Sequence, residues 1–106
     1  MPANIVPSIL NRLYNQYNIS ITAYPFFYKG NTIKYAACIV YDSDVYVLSK
    51  TDDVTVIEKY HRVSMNGQYL HYSHIDSIEE AIMYGVEFAL YLEENNFNID
   101  LIKLNS

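Results

Sequence analysis

Cysteine and tryptophan are almost missing from this sequence, which has one Cys, Cys38, and no Trp in 106 residues. One cysteine excludes a disulfide within the chain, and with it the disulfide-stapled class of small secreted domain. Cys38 stands in the apolar run 35–40, which contains no basic residue to favour a thiolate. We therefore predict a small buried thiol and not a reactive nucleophile.

Glycine and proline are scarce as well, with three of each. The three glycines are scattered, so they form no Gly-rich turn of the kind that holds phosphate before a helix. No apolar run approaches the ~20 residues of a membrane-spanning helix. The opening MPANIVPSIL lacks the basic and apolar regions of a signal peptide. We expect a soluble, cytoplasmic protein (in the host cytoplasm if a phage encodes it) with no membrane partner.

Basic residues are absent between Arg62 and Lys103, and the net charge is −5. An acidic field attracts basic surfaces and repels nucleic acid. Aromatic residues between 24 and 35 could stack bases, but only Lys29 and Lys34 accompany them, so nucleic acid is not a predicted partner. The interval without basic residues contains seven acidic ones: Asp76, Glu79, Glu80, Glu87, Glu93, Glu94 and Asp100.

The residues that are present are typical of a globular domain, with 51% hydrophobic and 18% charged residues and 12 Tyr. A chain of this length buries roughly two-thirds of the surface that its unfolded form exposes. Tyr combines apolar area with a polar hydroxyl, which suits half-buried sheet faces and recognition surfaces. We predict one domain covering residues 1–106.

Hydrophobic spacing predicts a helix followed by strands. Apolar residues between 6 and 17 recur at helical spacing, and Asn18 ends this helix. β-branched and aromatic residues predict strands at 19–24, 33–41, 45–49 and from 54 onward. Pro25 makes the first strand an edge strand or interrupts it. If Gly30-Asn31 is a two-residue turn, one face carries Ile21, Ala23, Ala36, Cys38 and Val40, and the other carries Tyr24, Phe26, Tyr28, Tyr35 and Ile39.

A second hairpin is predicted at Asn66-Gly67, the dipeptide preferred in two-residue turns. It places Ile57 on an apolar face and leaves Glu58 and Tyr60 facing solvent. It also makes His61 and His74 diagonal neighbours on one face of the hairpin.

A capping box, Ser77-Ile78-Glu79-Glu80, predicts that the last helix begins at Ser77 and continues to about Glu94. Apolar residues at 99–104 predict a short terminal strand. The order of elements indicates an α+β domain, with a four- to five-stranded antiparallel sheet flanked by an N-terminal and a C-terminal helix packed on one face.

The last helix is apolar on two sides. Around Ile78 a core stripe is complete, and Gly85 within it costs about 1 kcal/mol against Ala while permitting close backbone approach. On the outer side Glu80, Glu87 and Glu94 form a column, flanked by Met83 and Leu90 on one side and by Tyr84 and Tyr91 on the other. No cation is spaced to pair with this column along the helix. The predicted core stripe consists of Ile78, Ala81, Ile82, Gly85, Val86, Phe88, Ala89 and Leu92.

Three interpretations of the outer side stay open at this point. The first helix or the C-terminal tail covers Met83 and Leu90, which makes them core. The heptad spacing forms a homodimer seam, although the glutamates would repel their own copies. The third interpretation is that carboxylates beside aromatic and Met side chains dock on a basic protein surface.

No catalytic residue, cofactor site or metal site is predicted. His61, His74 and Asp76 are the only candidate ligand set, and neither an H-E-x-x-H motif nor a Cys pair supports it. Glu79 and Glu80 in the first helical turn favour the helix dipole, as ordinary capping residues do. The sequence therefore predicts a small non-enzymatic inhibitor or adaptor, of the anti-restriction or anti-CRISPR kind that phages and mobile elements direct against nucleic-acid-handling enzymes. The alternative prediction is a homodimeric structural protein that uses the outer face of the last helix as its dimer seam. A third hypothesis is a small-molecule or metal enzyme that uses His61 and His74.

Overall fold

The structure is a computed structural model that describes residues 5–28, 32–51, 54–61 and 73–105. Helix α1 (Val6–Tyr17) precedes strands β1 (Ser20–Tyr28), β2 (Thr32–Tyr41), β3 (Asp44–Lys50) and β4 (Thr55–His61), and helices α2 (Ile78–Glu94) and α3 (Leu101–Leu104) follow. The strands form one antiparallel sheet in the order β1-β2-β3-β4. The predicted α+β class, with helices flanking a four-stranded sheet, is confirmed.

Helix α1 begins and ends where the sequence predicts. Pro7 occupies the first turn, where its missing N–H costs nothing. Asn18 adopts the left-handed conformation at φ 58°, which is tolerated by Asn and common just after a helix. The helix packs its apolar side inward, so Leu13 is fully buried.

The register of β1 against β2 corrects the predicted one by one residue. Ala23 pairs with Ala37, and Tyr28 pairs with Thr32, which leaves three residues and not two between the strands. Because side chains alternate along a strand, this slip exchanges the faces of one strand relative to the other. The helix-facing side consequently carries Ile21, Ala23, Tyr35, Ala37 and Ile39. As the topology shows, β1 is an edge strand, and it continues through Pro25.

Close approach between α2 and the sheet occurs at Gly85, as predicted. A Cβ atom at this position would lie 2.5 Å from Cγ2 of Ile21 and 3.5 Å from Cβ of Ala37. Ser77 caps the helix, and its Oγ accepts a hydrogen bond from the Glu80 N–H at 3.1 Å. The predicted stripe is buried at Ala81, Gly85, Val86, Phe88, Ala89 and Leu92, but Ile82 is half-buried and Ile78 is 51% exposed.

The central part of the sheet face opposite the helices is also buried. Cys38 and Val47 lie there in a small cluster with Ala36 and Val45, and Tyr60 packs against it. Burial raises the pKa of the Cys38 thiol, in keeping with the predicted inert cysteine. Tyr60 and Glu58 are half-buried rather than solvent-facing, and the Tyr60 hydroxyl donates to Glu58 at 2.8 Å. Burial, and then this hydrogen bond, raises the pKa of Tyr60 to about 12.

A segment from Ser73 to Ile75 fills the fork where β2 and β3 part. The strands pair as far as Ala37 and Leu48. Beyond that pair, Ser73 Oγ donates to the Tyr35 carbonyl at 2.7 Å and accepts from the Lys50 N–H at 3.3 Å. The Tyr35 N–H donates to the Ile75 carbonyl at 3.0 Å, so a second hydrogen bond links this segment to β2. The predicted Asn66-Gly67 hairpin lies outside the described residues.

The C-terminal segment forms a short helix where a strand was predicted. Asp100 caps α3 by accepting from the N–H groups of Ile102 and Lys103. The side chain of Asn105 then pairs with the outer edge of β4: its Oδ1 accepts from the Ile57 N–H at 3.1 Å and its Nδ2 donates to the Ile57 carbonyl at 2.7 Å. One amide side chain thus satisfies the edge groups of Ile57, as a neighbouring strand would.

Candidate protein-docking face

The outer face of α2 keeps three of its predicted residues exposed. Glu87, Tyr91 and Glu94 are exposed, whereas Glu80 is half-buried. Glu80, Glu87 and Glu94 follow one another every seven residues, roughly 10 Å apart along the helix axis. Among the described residues, none of these three carboxylates lies within ion-pairing distance of a cation.

Met83 and Leu90 are partly covered, which favours the first of the three interpretations for this flank. Both side chains are half-buried, and Leu90 packs against the main core cluster. Met83 lines a hollow that α1 shares through Val6 and Pro7. The helix therefore does not present a continuous apolar stripe on this side.

Lys50 approaches the other flank from β3, a cation that the residue spacing along the helix could not reveal. Its Nζ donates to the Tyr84 hydroxyl at 2.7 Å and lies 4.5 Å from the centre of the Tyr84 ring. The hydrogen bond with Tyr84, followed by the charges of Tyr84, Glu80 and Glu87, raises the pKa of Lys50. Tyr84 is thus half-buried and engaged within the protein, and the acidic face is partly neutralised near Glu80.

Tyr91 remains available at the C-terminal end of this face. It is 40% exposed, and its ring stacks on Phe88 at a centroid distance of 6.4 Å. It also borders a hollow of about 480 Å³ whose other walls include Asn98 and Lys103. An aromatic ring held by the core on one side and open on the other has the form of an interface anchor.

An ion pair between the first and the last long helix fixes the orientation of this face. Arg12 donates to both carboxylate oxygens of Glu93, at 2.7 and 2.9 Å. Hydrogen bonds from Arg12 and from Tyr17 lower the pKa of Glu93 to about 2. Bidentate geometry makes this pair stronger than an ordinary surface ion pair.

We expect Glu93→Gln to lower the free energy of unfolding by about 1 kcal/mol at pH 7, a value reduced for solvent because the two side chains are 42% and 24% exposed. The folded pKa of Glu93 is depressed, so its contribution is present above the ordinary value of 4.5 and is lost as pH falls toward 2. The difference between parent and variant should therefore shrink through this interval in urea titrations. Glu94→Gln is the matched control, and an equal loss there would contradict the assignment to the Arg12 pair.

The two candidate metal-binding histidines lie apart. His61 pairs with Asp44 at the start of β3, whereas the His74 N–H donates to the Lys50 carbonyl at its end. Six residues of strand separate these ends by roughly 20 Å, so the predicted adjacency of His61 and His74 is wrong. Within the described ranges, no cluster of three His, Cys, Asp or Glu side chains could hold a metal ion.

One feature of this region escaped sequence reasoning. A hollow of about 200 Å³, here called the N-terminal hollow, lies between the first turns of α1 and α2. The sequence signal that could have indicated it is Ile78, which stands at the centre of the predicted core stripe but is the first residue of the helix. The residues that line the hollow are Val6, Pro7, Ile78, Glu79, Ile82 and Met83.

No described helix combines the length and the apolar character that crossing a membrane requires. Comparison of the chain with protein-family models, with curated proteins and with solved structures finds no match in any of the three.

Proposed function

We propose that this chain is a small non-enzymatic protein-binding module that docks the outer face of α2 on a basic surface of another protein. The observation that carries the proposal is the exposure of Glu87, Tyr91 and Glu94 side by side on a helix held at both flanks. Exposed carboxylates around an aromatic anchor suit a basic partner, because opposite potentials favour encounter and register.

The partner class that we propose is a nucleic-acid-handling enzyme, with the chain acting as an inhibitor encoded by a phage or mobile element. Glu87 and Glu94 carry the charge sign of nucleic-acid phosphates and stand on a rigid scaffold. A cleft built for phosphates is lined with Lys and Arg, and these carboxylates would occupy it in competition with the nucleic acid. Chain length and composition support the phage origin.

The contact surface that we propose is smaller than the seven-residue surface predicted from sequence, because only three of the seven side chains are exposed. Tyr84 and Glu80 are engaged with or close to Lys50, and Leu90 contributes to the core. Replacing Tyr84 would therefore disturb the fold as well as the surface. Variants that test docking should change only the exposed residues of α2.

We expect the variant Glu87→Lys, Tyr91→Ala, Glu94→Lys to lose a captured basic partner, with affinity at least 100-fold lower. Loss of an anchor and reversal of two charges remove more than the ~2.7 kcal/mol that this factor represents. Tagged protein would be incubated with bacterial lysate, and each captured protein would be purified and its affinity measured at low and at high salt. Binding should weaken as salt rises.

A variant matched in net charge is the control. It carries four Lys substitutions at exposed positions outside α2: Asn11→Lys, Asn15→Lys, Ser20→Lys and Thr22→Lys. These add four positive charges, the same total change as two Glu→Lys substitutions at two units each. Retention of the partner by this control and its loss by the α2 variant supports the proposal. Equal binding by both variants, at unchanged affinity, rejects it.

Self-association is the alternative use of the same face. In an isologous pair the Glu87 and Glu94 side chains would approach their own copies, which disfavours a seam there. Sedimentation at micromolar concentration distinguishes the two: a stable dimer that Tyr91→Ala or Glu87→Lys dissociates would replace docking by a homodimeric role.

A further inference from the structure

The N-terminal hollow is apolar but has an acidic rim. Val6, Pro7, Ile82 and Met83 give it an almost wholly apolar lining, and the exposed Glu79 stands at its edge. Ile78 lines the hollow and is 51% exposed, so it offers apolar surface to an incoming side chain. The hollow opens at the same end of α2 as Glu80, the first member of the acidic column.

We infer that this hollow receives one apolar side chain from a basic segment of the partner. The inference rests on the proposed function and names the chemistry of the partner at that face: a Leu- or Phe-sized anchor with Lys or Arg within one turn on either side. About 200 Å³ accommodates a single large side chain and little more. Buried anchors surrounded by polar contacts are the usual arrangement of an interface hot spot.

Charge complementarity selects this occupant over a neutral or acidic one. The described cation nearest in sequence to the hollow, Arg12, is paired with Glu93 at the other end of α2, fifteen residues or roughly 22 Å from Ile78. Lys34 and Lys59 are paired with Asp76 and Asp44. Lys50, in contact with Tyr84, lies close to Glu80 and partly offsets its charge. The carboxylate of Glu79 at the edge of the hollow is therefore the charge that favours a segment with its own positive charge.

A second copy of this chain does not suit the hollow. Within the described residues, no exposed segment joins an apolar side chain to flanking cations: Ile102, 86% exposed, is followed by a single Lys103. A partner with a basic amphipathic segment supplies what this chain does not.

The test uses three blocked peptides: acetyl-KKFKK-amide, the same peptide with Ser for Phe, and acetyl-EEFEE-amide. Each would be titrated to millimolar concentration into isotopically labelled protein and followed by amide chemical shifts. We expect saturable shifts around Val6, Ile78 and Met83 with the first peptide, at least tenfold weaker binding with the second, and none with the third.

Variants localise the site. Ile78→Ser and Met83→Ser should each weaken binding of acetyl-KKFKK-amide at least tenfold, while Ile102→Ser, an exposed aliphatic position elsewhere, leaves it unchanged. Shifts that spread over the whole acidic helix, equal binding by the Ser peptide, or no saturable shift overturns the inference. A dimer that Ile78→Ser dissociates overturns it as well, because the hollow would then belong to a second copy.

The two proposals fail separately. If a captured partner is lost on charge reversal at Glu87 and Glu94 but is retained by Ile78→Ser, docking stands and the hollow is not part of it. If the cationic peptide occupies the hollow but charge reversal leaves every captured partner bound, the hollow stands and the proposed docking face does not.

Discussion

Gly85→Leu should destabilise the protein by about 3 kcal/mol or more, which is a fall of roughly 15 °C in the melting temperature of a domain this size. Even a Cβ atom at this position would lie 2.5 Å from Cγ2 of Ile21, inside van der Waals contact, and a larger side chain has Ala37 and Ile39 on its other sides. The helix would have to move away from β1 and β2, and the core beneath it would lose contact.

A smaller substitution separates the clash from helix propensity. Gly85→Ala gains about 1 kcal/mol of helix propensity but meets the Ile21 methyl group, so we expect a net loss of about 1 kcal/mol. In an Ile21→Ala background the obstacle is absent, and the same substitution should become neutral or stabilising. Thermal and urea unfolding of the four proteins gives the coupling, with Glu87→Ala as an exposed control on the same helix. If Gly85→Ala changes stability equally in both backgrounds, contact with Ile21 is not the cause of its destabilising effect.

Ser73→Ala should cost about 2 to 4 kcal/mol, because Ser73 is fully buried and its hydroxyl serves two strands. The substitution removes the bond to the Tyr35 carbonyl and the bond from the Lys50 N–H. Both groups belong to the fork between β2 and β3, which has no direct strand pairing beyond Ala37 and Leu48. Buried backbone groups that lose a partner bear most of their desolvation cost.

Urea unfolding with an unchanged slope would measure this loss, and hydrogen exchange would locate it. The Lys50 amide should exchange faster in Ser73→Ala, while amides in α1 change only as global stability does. Ser20→Ala, at an exposed position, is the matched control and should change stability by less than about 0.5 kcal/mol. A Lys50 amide that exchanges at the parent rate in a folded Ser73→Ala protein would contradict the proposed role of the hydroxyl.

The elements that sequence reasoning placed well are those with strong local signals. Helical spacing and Asn18 defined α1, and the Ser77 cap defined the start of α2. Gly85 predicted close packing because a mid-helix glycine is costly unless something approaches it. Each of these signals depends on residues close together in sequence, so it could be interpreted without knowledge of the rest of the fold.

Register and terminal structure depended on information that the local pattern does not contain. Ile21 and Ala23 have apolar neighbours of similar size on both faces of β2, so hydrophobicity alone did not reject a slip of one residue. The terminal segment was assigned to a strand from its apolar residues, although Asp100 is a good helix-capping residue. His61 and His74 were brought together by an assumed hairpin pairing, and the described strands place them at opposite ends of β3.

The candidate site was predictable in its residues but not in its surroundings. The acidic column and its flanking side chains can be identified by their spacing on one helix. The neutralising contacts come from distant sequence: Lys50 reaches Tyr84 from β3, and Arg12 reaches Glu93 from α1. Such contacts exist only after the helices have packed, so the spacing along one helix could not show which of the seven predicted residues are half-buried.

The helical layer of this protein is assembled from both ends of its chain, with consequences for the order of folding. Arg12 and Glu93 are 81 residues apart in sequence. Helix α2 packs on β1 and β2, but β3 and β4 are synthesised before it. Contacts between residues so far apart in sequence slow folding, because the chain loses the entropy of closing a long loop before these contacts can stabilise the fold. During synthesis the helix-facing side of the sheet, with Ala37 and Ile39, stays without α2 until residues 78–94 emerge. A nascent chain of this topology therefore exposes an apolar surface that can aggregate with other chains before α2 covers it.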